Sequence, residues 1–183
     1  ATLVAALPTP RPATAQPTAA PTDGTAINRI VIVNPDGQVE TIAPTGNDRR
    51  VLTREDDTVL FQFPAWSPDG RRLAVIGSRL TGGGIYVLPD DPGGPDITAS
   101  QVYFSADETP IYLFWSPDSA RLACLANQAR SDMGLMVVDS AGASESRLLA
   151  TGAPFYWDWS DDGRQLLIHS GADRGGDVSL IDI

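Results

Sequence analysis

The segment FPAWSPDGRRLAVIG, residues 63–77, returns as LFWSPDSARLACLAN and again as WDWSDDGRQLLIHS. Its tryptophans, Trp66, Trp115 and Trp159, recur at intervals of 49 and 44 residues. Self-similarity at such a period means stacked supersecondary units, so it restricts the fold more than any single residue does.

The copies align position by position. A leucine stands seven residues after each tryptophan: Leu73, Leu122 and Leu166. Ala74, Ala123 and Leu167 follow, then Val75, Cys124 and Ile168. Between tryptophan and leucine lies Ser67-Pro68-Asp69-Gly70. Ser and Pro suit the first two positions of a type I turn, and Gly suits a left-handed residue after it. Asp118, Asp162 and Gly163 repeat that chemistry. Asp161 stands for the proline, and Ser119 stands for the glycine, which carries a cost if its φ is positive. Each copy therefore reads as strand, tight turn, strand. The second strand is apolar on both faces, which requires cover on both sides.

A third strand follows at a near-constant distance, at 85–88, 135–138 and 178–181. Fourth strands are expected at 147–150 and 101–104. Four strands per period is the spacing of a propeller blade. The WSPDG turn followed by a Leu-Ala pair resembles the β-propeller repeat of TolB-like proteins, which is also found in propellers of prolyl oligopeptidases. The resemblance covers residues 28–183 and implies an all-β propeller of four-stranded blades. About three blades and a partial one are recognisable. Closed rings have about 4 to 8 blades, so the chain reads as part of a larger ring, with a complete small propeller as the lesser alternative. Residues 28–53 read as the last strands of a blade whose first two strands are absent.

Residues 1–27 have a different character: ATLVAAL, then a Pro/Thr/Ala tract. Proline-rich chain favours extended, solvated backbone, so this segment is expected to be a disordered stalk. The apolar start is too short to span a bilayer and reads as the tail of an anchor or export segment lying upstream of residue 1. An extracytoplasmic, membrane-tethered location follows from that reading.

Thirteen Lys and Arg against 23 Asp and Glu give a net charge of −10. This excludes a nucleic-acid partner held by phosphate neutralisation. The acidic pairs Asp56-Asp57, Asp90-Asp91 and Asp161-Asp162 read as solvated turn charge. Catalytic residues, cofactor ligands and metal ligands are not expected. His169 is the only histidine and Cys124 the only cysteine, and both occupy structural positions of the repeat. There is no GxSxG elbow for a serine nucleophile. Gly82-Gly83-Gly84 reads as a flexible hairpin, as does GADRGGD at 171–177.

The tryptophans Trp66, Trp115 and Trp159 read as packing ridges. The strand PFYWDW gathers Phe155, Tyr156, Trp157 and Asp158, a candidate rim for a protein or peptide partner. Three readings of function remain: a non-catalytic interaction or sensor propeller, as the TolB-like resemblance implies, the gating propeller of a prolyl-oligopeptidase-type serine peptidase, or the extracellular domain of a membrane signalling protein.

Overall fold

A computed structural model describes residues 28–53, 58–90, 100–128, 133–143, 145–153, 155–171 and 176–183. The stalk, Asp56-Asp57, Asp91 and residues 172–175 of the second glycine-rich segment lie outside the described residues. No helix among those described is long and apolar enough to cross a membrane.

The described chain forms four antiparallel sheets in order. The first holds β1 (Ile30–Val33), β2 (Val39–Ile42) and β3 (Arg50–Val51). The second holds β4 (Leu60–Trp66), β5 (Arg72–Arg79), β6 (Gly82–Pro89) and β7 (Gln101–Ser105). The third holds β8 (Thr109–Trp115), β9 (Arg121–Asn127), β10 (Met133–Asp139) and β11 (Arg147–Gly152). The fourth holds β12 (Phe155–Trp159), β13 (Gln165–Ser170) and β14 (Asp177–Asp182). Every sheet is a meander, each strand beside its chain neighbour. The first sheet keeps three strands, one more than a blade lacking its first two would keep. Arg50 and Val51 add a short third strand by pairing with Thr41 and Glu40.

The doubly apolar second strand explains how the sheets stack. Along β5, Leu73 and Val75 pack with Val39 and Leu52 of the first sheet's side. Ala74 and Ile76 pack with Leu113, Trp115 and Leu122 of the third sheet. β9 repeats the device: Leu122 and Cys124 face the second sheet, and Ala123 joins Phe155, Leu166 and Ile168. Leu73, Ile76, Leu122 and Leu166 are all fully buried. Each such side chain contributes about 1.5–3 kcal/mol of transfer free energy.

The turn after each tryptophan is built identically. Gly70, Ser119 and Gly163 donate their N–H to the carbonyls of Ser67, Ser116 and Ser160 at 2.8–2.9 Å. Their φ values are 68°, 60° and 69°, so all three lie in the left-handed region. The serine hydroxyls donate to Asp69, Asp118 and Asp162 at 2.5, 2.6 and 2.7 Å. The same carboxylates accept the N–H two residues on, at 3.0–3.1 Å. The repeat aspartates are thus structural. Asn34 takes the serine's place in the first sheet, its carbonyl accepting the N–H of Gly37.

The turns also lock sheet to sheet. Arg72 donates to the Ser119 carbonyl at 2.5 Å and the Ser140 hydroxyl at 3.0 Å. Its guanidinium lies 5.3 Å from the Trp115 ring centroid. One repeat later, Arg121 donates to the Gly163 carbonyl at 3.2 Å.

Two sequence expectations are corrected. Gly82, Gly83 and Gly84 are not a flexible hairpin; they open β6 and pair with Arg79, Ser78 and Gly77. Glycine is required there by close approach, since a Cβ on Gly84 would stand 2.6 Å from the Tyr103 carbonyl oxygen. Asp90 is not solvated turn charge, because its side chain is 3% exposed. It accepts from Thr41 Oγ1 at 2.5 Å and Arg50 Nη1 at 2.8 Å, and Arg29 Nε lies 3.4 Å away. It ties the first sheet to the second.

Candidate functional site

β4, β8 and β12 are the first strands of their sheets, and each ends its sheet with one edge unpaired. They stand in succession. Phe63 on β4 meets Tyr112 on β8 edge to face, with centroids 5.9 Å apart. Tyr112 meets Trp157 on β12 in the same way at 5.7 Å. An aromatic row therefore crosses three consecutive sheets along their first strands.

Between β8 and β12 the row opens into a cavity of about 300 Å³, lined by Tyr112, Phe114, Phe155, Tyr156, Trp157 and Asp158. Tyr156 is 65% exposed, Phe114 49% and Tyr112 43%. Phe155 is instead buried in the core between the third and fourth sheets. Tyr156 also stacks on His169, with centroids 5.9 Å apart and planes 24° from parallel. The Trp157 indole N–H is buried without a hydrogen-bond partner among the described residues. Asp158 is exposed and is the one charged residue in the lining.

Phe63 is held under strain. Gln62 pairs with Ile76 and Ala65 with Ala74, so two residues of β4 bulge opposite one of β5. In that bulge Phe63 has φ 51° and is 48% exposed. A bulky residue at positive φ costs of order 1–3 kcal/mol, and such outliers cluster at functional sites.

The four rim residues named from the sequence, Phe155, Tyr156, Trp157 and Asp158, all line this groove. Sequence reasoning missed Tyr112 and Phe114 as part of it, and Phe63 as the ring that abuts Tyr112. A signal was present: the residue three places before each repeat tryptophan is aromatic, Phe63, Tyr112 and Tyr156. Trp66, Trp115 and Trp159 stand apart from the groove lining and pack between sheets.

The other chemically reactive groups are quiet. Cys124 is fully buried, and burial pushes its thiol far up, which suppresses the nucleophilic thiolate. Burial likewise raises the Tyr103 hydroxyl to about 12. Among the described residues, no three His, Cys, Asp or Glu side chains gather to hold a metal ion.

Solved structures share this arrangement of sheets. TolB from Acinetobacter baumannii superposes with a TM-score of 0.56 at 18% identity, over 83% of this chain and 37% of its own. A puromycin-hydrolyzing peptidase of Mycobacterium tuberculosis gives 0.62 at 16%, over 82% of this chain and 26% of its own. Acylaminoacyl peptidase of Pyrococcus horikoshii gives 0.55 at 14%, over 87% and 30%. The fold is a β-propeller. The four sheets are its blades, and the aromatic row lies on the first strands of the second, third and fourth. The chain spans between about a quarter and two fifths of the length of these three structures. No protein family and no curated protein matches the sequence.

Proposed function

We propose that this chain is a non-catalytic propeller that binds a protein or peptide partner outside the cytoplasm, carried on the Pro/Thr-rich stalk of residues 1–27 and tethered to a membrane by an anchor upstream of it. The observation that carries the reading is the exposed aromatic groove between β8 and β12. Aromatic side chains that keep large exposed faces on rigid strands are what partner-binding surfaces are made of. The TolB-like propeller fold supports the reading, and so does the acidic, soluble surface.

The test is selection of displayed random peptides on the immobilised protein, followed by binding to Phe114→Ala and Tyr156→Ala. Both side chains are exposed, so the fold tolerates their loss. Selected peptides that lose affinity for both variants support the reading. A selection that yields no binder, or only binders indifferent to both changes, sinks it.

The gating propeller of a serine peptidase is the second reading, favoured by the superposition on two peptidases. It requires a GxSxG hydrolase domain elsewhere in a longer parent chain. The coding sequence on either side of these residues decides between the two.

A further inference from the structure

We infer that the groove between β8 and β12 receives a cationic side chain, an arginine or lysine presented by a peptide partner. This rests on the peptide-binding reading and names the chemistry of its ligand. The rings of Tyr112, Phe114, Tyr156 and Trp157 meet at one opening, and Asp158 stands among them. Aromatic faces carry the negative end of the ring quadrupole and attract a cation held over them. No basic residue contributes to the lining.

Other occupants fit less well. An apolar side chain would pack on the rings but would desolvate the Asp158 carboxylate and leave it only the bond from the Trp159 N–H, at 2.9 Å. An anion would face both that carboxylate and the negative ring faces. A cation is matched by the ring faces and by the carboxylate, and the chain's net charge of −10 favours its approach.

The groove is also rigid before binding. Tyr112 is held edge to face by Phe63 on one side and Trp157 on the other. Phe63 is kept in place by a bulge at positive φ. Preorganised rings lose little conformational freedom on binding, which favours affinity in a small site.

The experiment uses three end-blocked pentapeptides, Gly-Gly-X-Gly-Gly, with X as arginine, citrulline or glutamate. Citrulline has the shape of arginine without its charge. Binding is followed on the full chain by the NMR signals of the four indole N–H groups, the Trp157 signal being identified with Trp157→Phe. The arginine peptide should move the Trp157 signal and spare that of Trp115. Citrulline should bind about five- to tenfold more weakly, the scale of a cation–π contact with a nearby carboxylate. Asp158→Asn and added salt should each narrow the gap between arginine and citrulline, the contribution of the rings remaining. Equal affinity for arginine and citrulline overturns the inference and leaves a peptide groove indifferent to charge. No movement of Trp157 with these peptides or with any selected peptide overturns both the inference and the reading beneath it.

Discussion

Trp115 donates its indole N–H to the carbonyl oxygen of Ala65 at 2.9 Å, joining β8 to β4 across the second and third blades. The equivalent indoles of Trp66 and Trp159 are buried without partners among the described residues. One repeat position therefore holds three chemically different tryptophans. Trp115→Phe removes this bond between blades and should cost about 1 kcal/mol beyond the change in packing. Trp159→Phe loses no hydrogen bond and relieves a buried orphan donor, so it should cost less. Urea denaturation of the two variants checks the order. Equal losses would mean that the Trp115 bond contributes nothing.

Ser119 gives a second comparison within the repeat. Its φ of 60° is strained for serine, and glycine would relieve about 1 kcal/mol. Yet its hydroxyl accepts the Asp69 N–H from the neighbouring blade at 3.1 Å. That bond is worth about 0.5–1.5 kcal/mol, so Ser119→Gly should be close to neutral. Ser119→Ala loses the bond and keeps the strain, and should destabilise by about 1 kcal/mol. Chemical denaturation of both variants reads the difference directly. An alanine variant as stable as the wild type would show that the hydroxyl is idle.

These residues show what was legible in the sequence. The turn and the doubly apolar strand are local patterns, so they fixed strand, turn, strand and the stacking of blades. The alignment of Ser119 with Gly70 and Gly163 marked the position where a positive φ would carry a cost, and its φ is positive. Asp90 was misread because its partners Arg29, Thr41 and Arg50 come from another blade, 40 or more residues away. The groove was half legible. Phe155, Tyr156, Trp157 and Asp158 lie together on β12, but Tyr112 and Phe114 arrive from β8 by tertiary packing. The bulge at Phe63 left no mark in the sequence beyond the proline that follows it.

Asp90 carries the third prediction. Its carboxylate compensates Arg29, whose side chain is 7% exposed, and Arg50 at the seam of the first two blades. Removing one partner of a buried ion pair typically costs about 3–5 kcal/mol, but Arg29 and Arg50 both keep Asp48, at 2.7 and 3.0 Å, so the loss should be smaller. Asp90→Ala should therefore loosen the first blade. Amide hydrogen exchange should rise in β1, β2 and β3 and stay unchanged in β12 and β13. A uniform rise across all four blades would mean that the seam does not open separately.

Glu40 carries the last, through its pairing with Arg49. The Arg49 guanidinium hydrogen-bonds the Glu40 carboxylate and holds its pKa below the ordinary value near 4.5, against the opposing effect of burial; Asn34 donates to it as well, at 2.8 Å. A depressed carboxylate binds fewer protons in the folded state than in the unfolded chain. Its contribution is therefore fully present above the unfolded value and is lost as pH falls through the lower folded value. Arg49→Gln removes the main cause of the depression. The wild-type chain should exceed the variant in stability at pH 7, and the gap should close as the solution is acidified below about 4.3, where the unfolded carboxylate takes up its proton. Thermal denaturation across that range reads the gap. Asp48 and Asp162 are depressed too, by Arg29 and by Ser160, but both are retained in the two chains and cancel in the difference. A gap that is the same at pH 7 and pH 3 would show that the pairing with Arg49 does not act through the charge of Glu40.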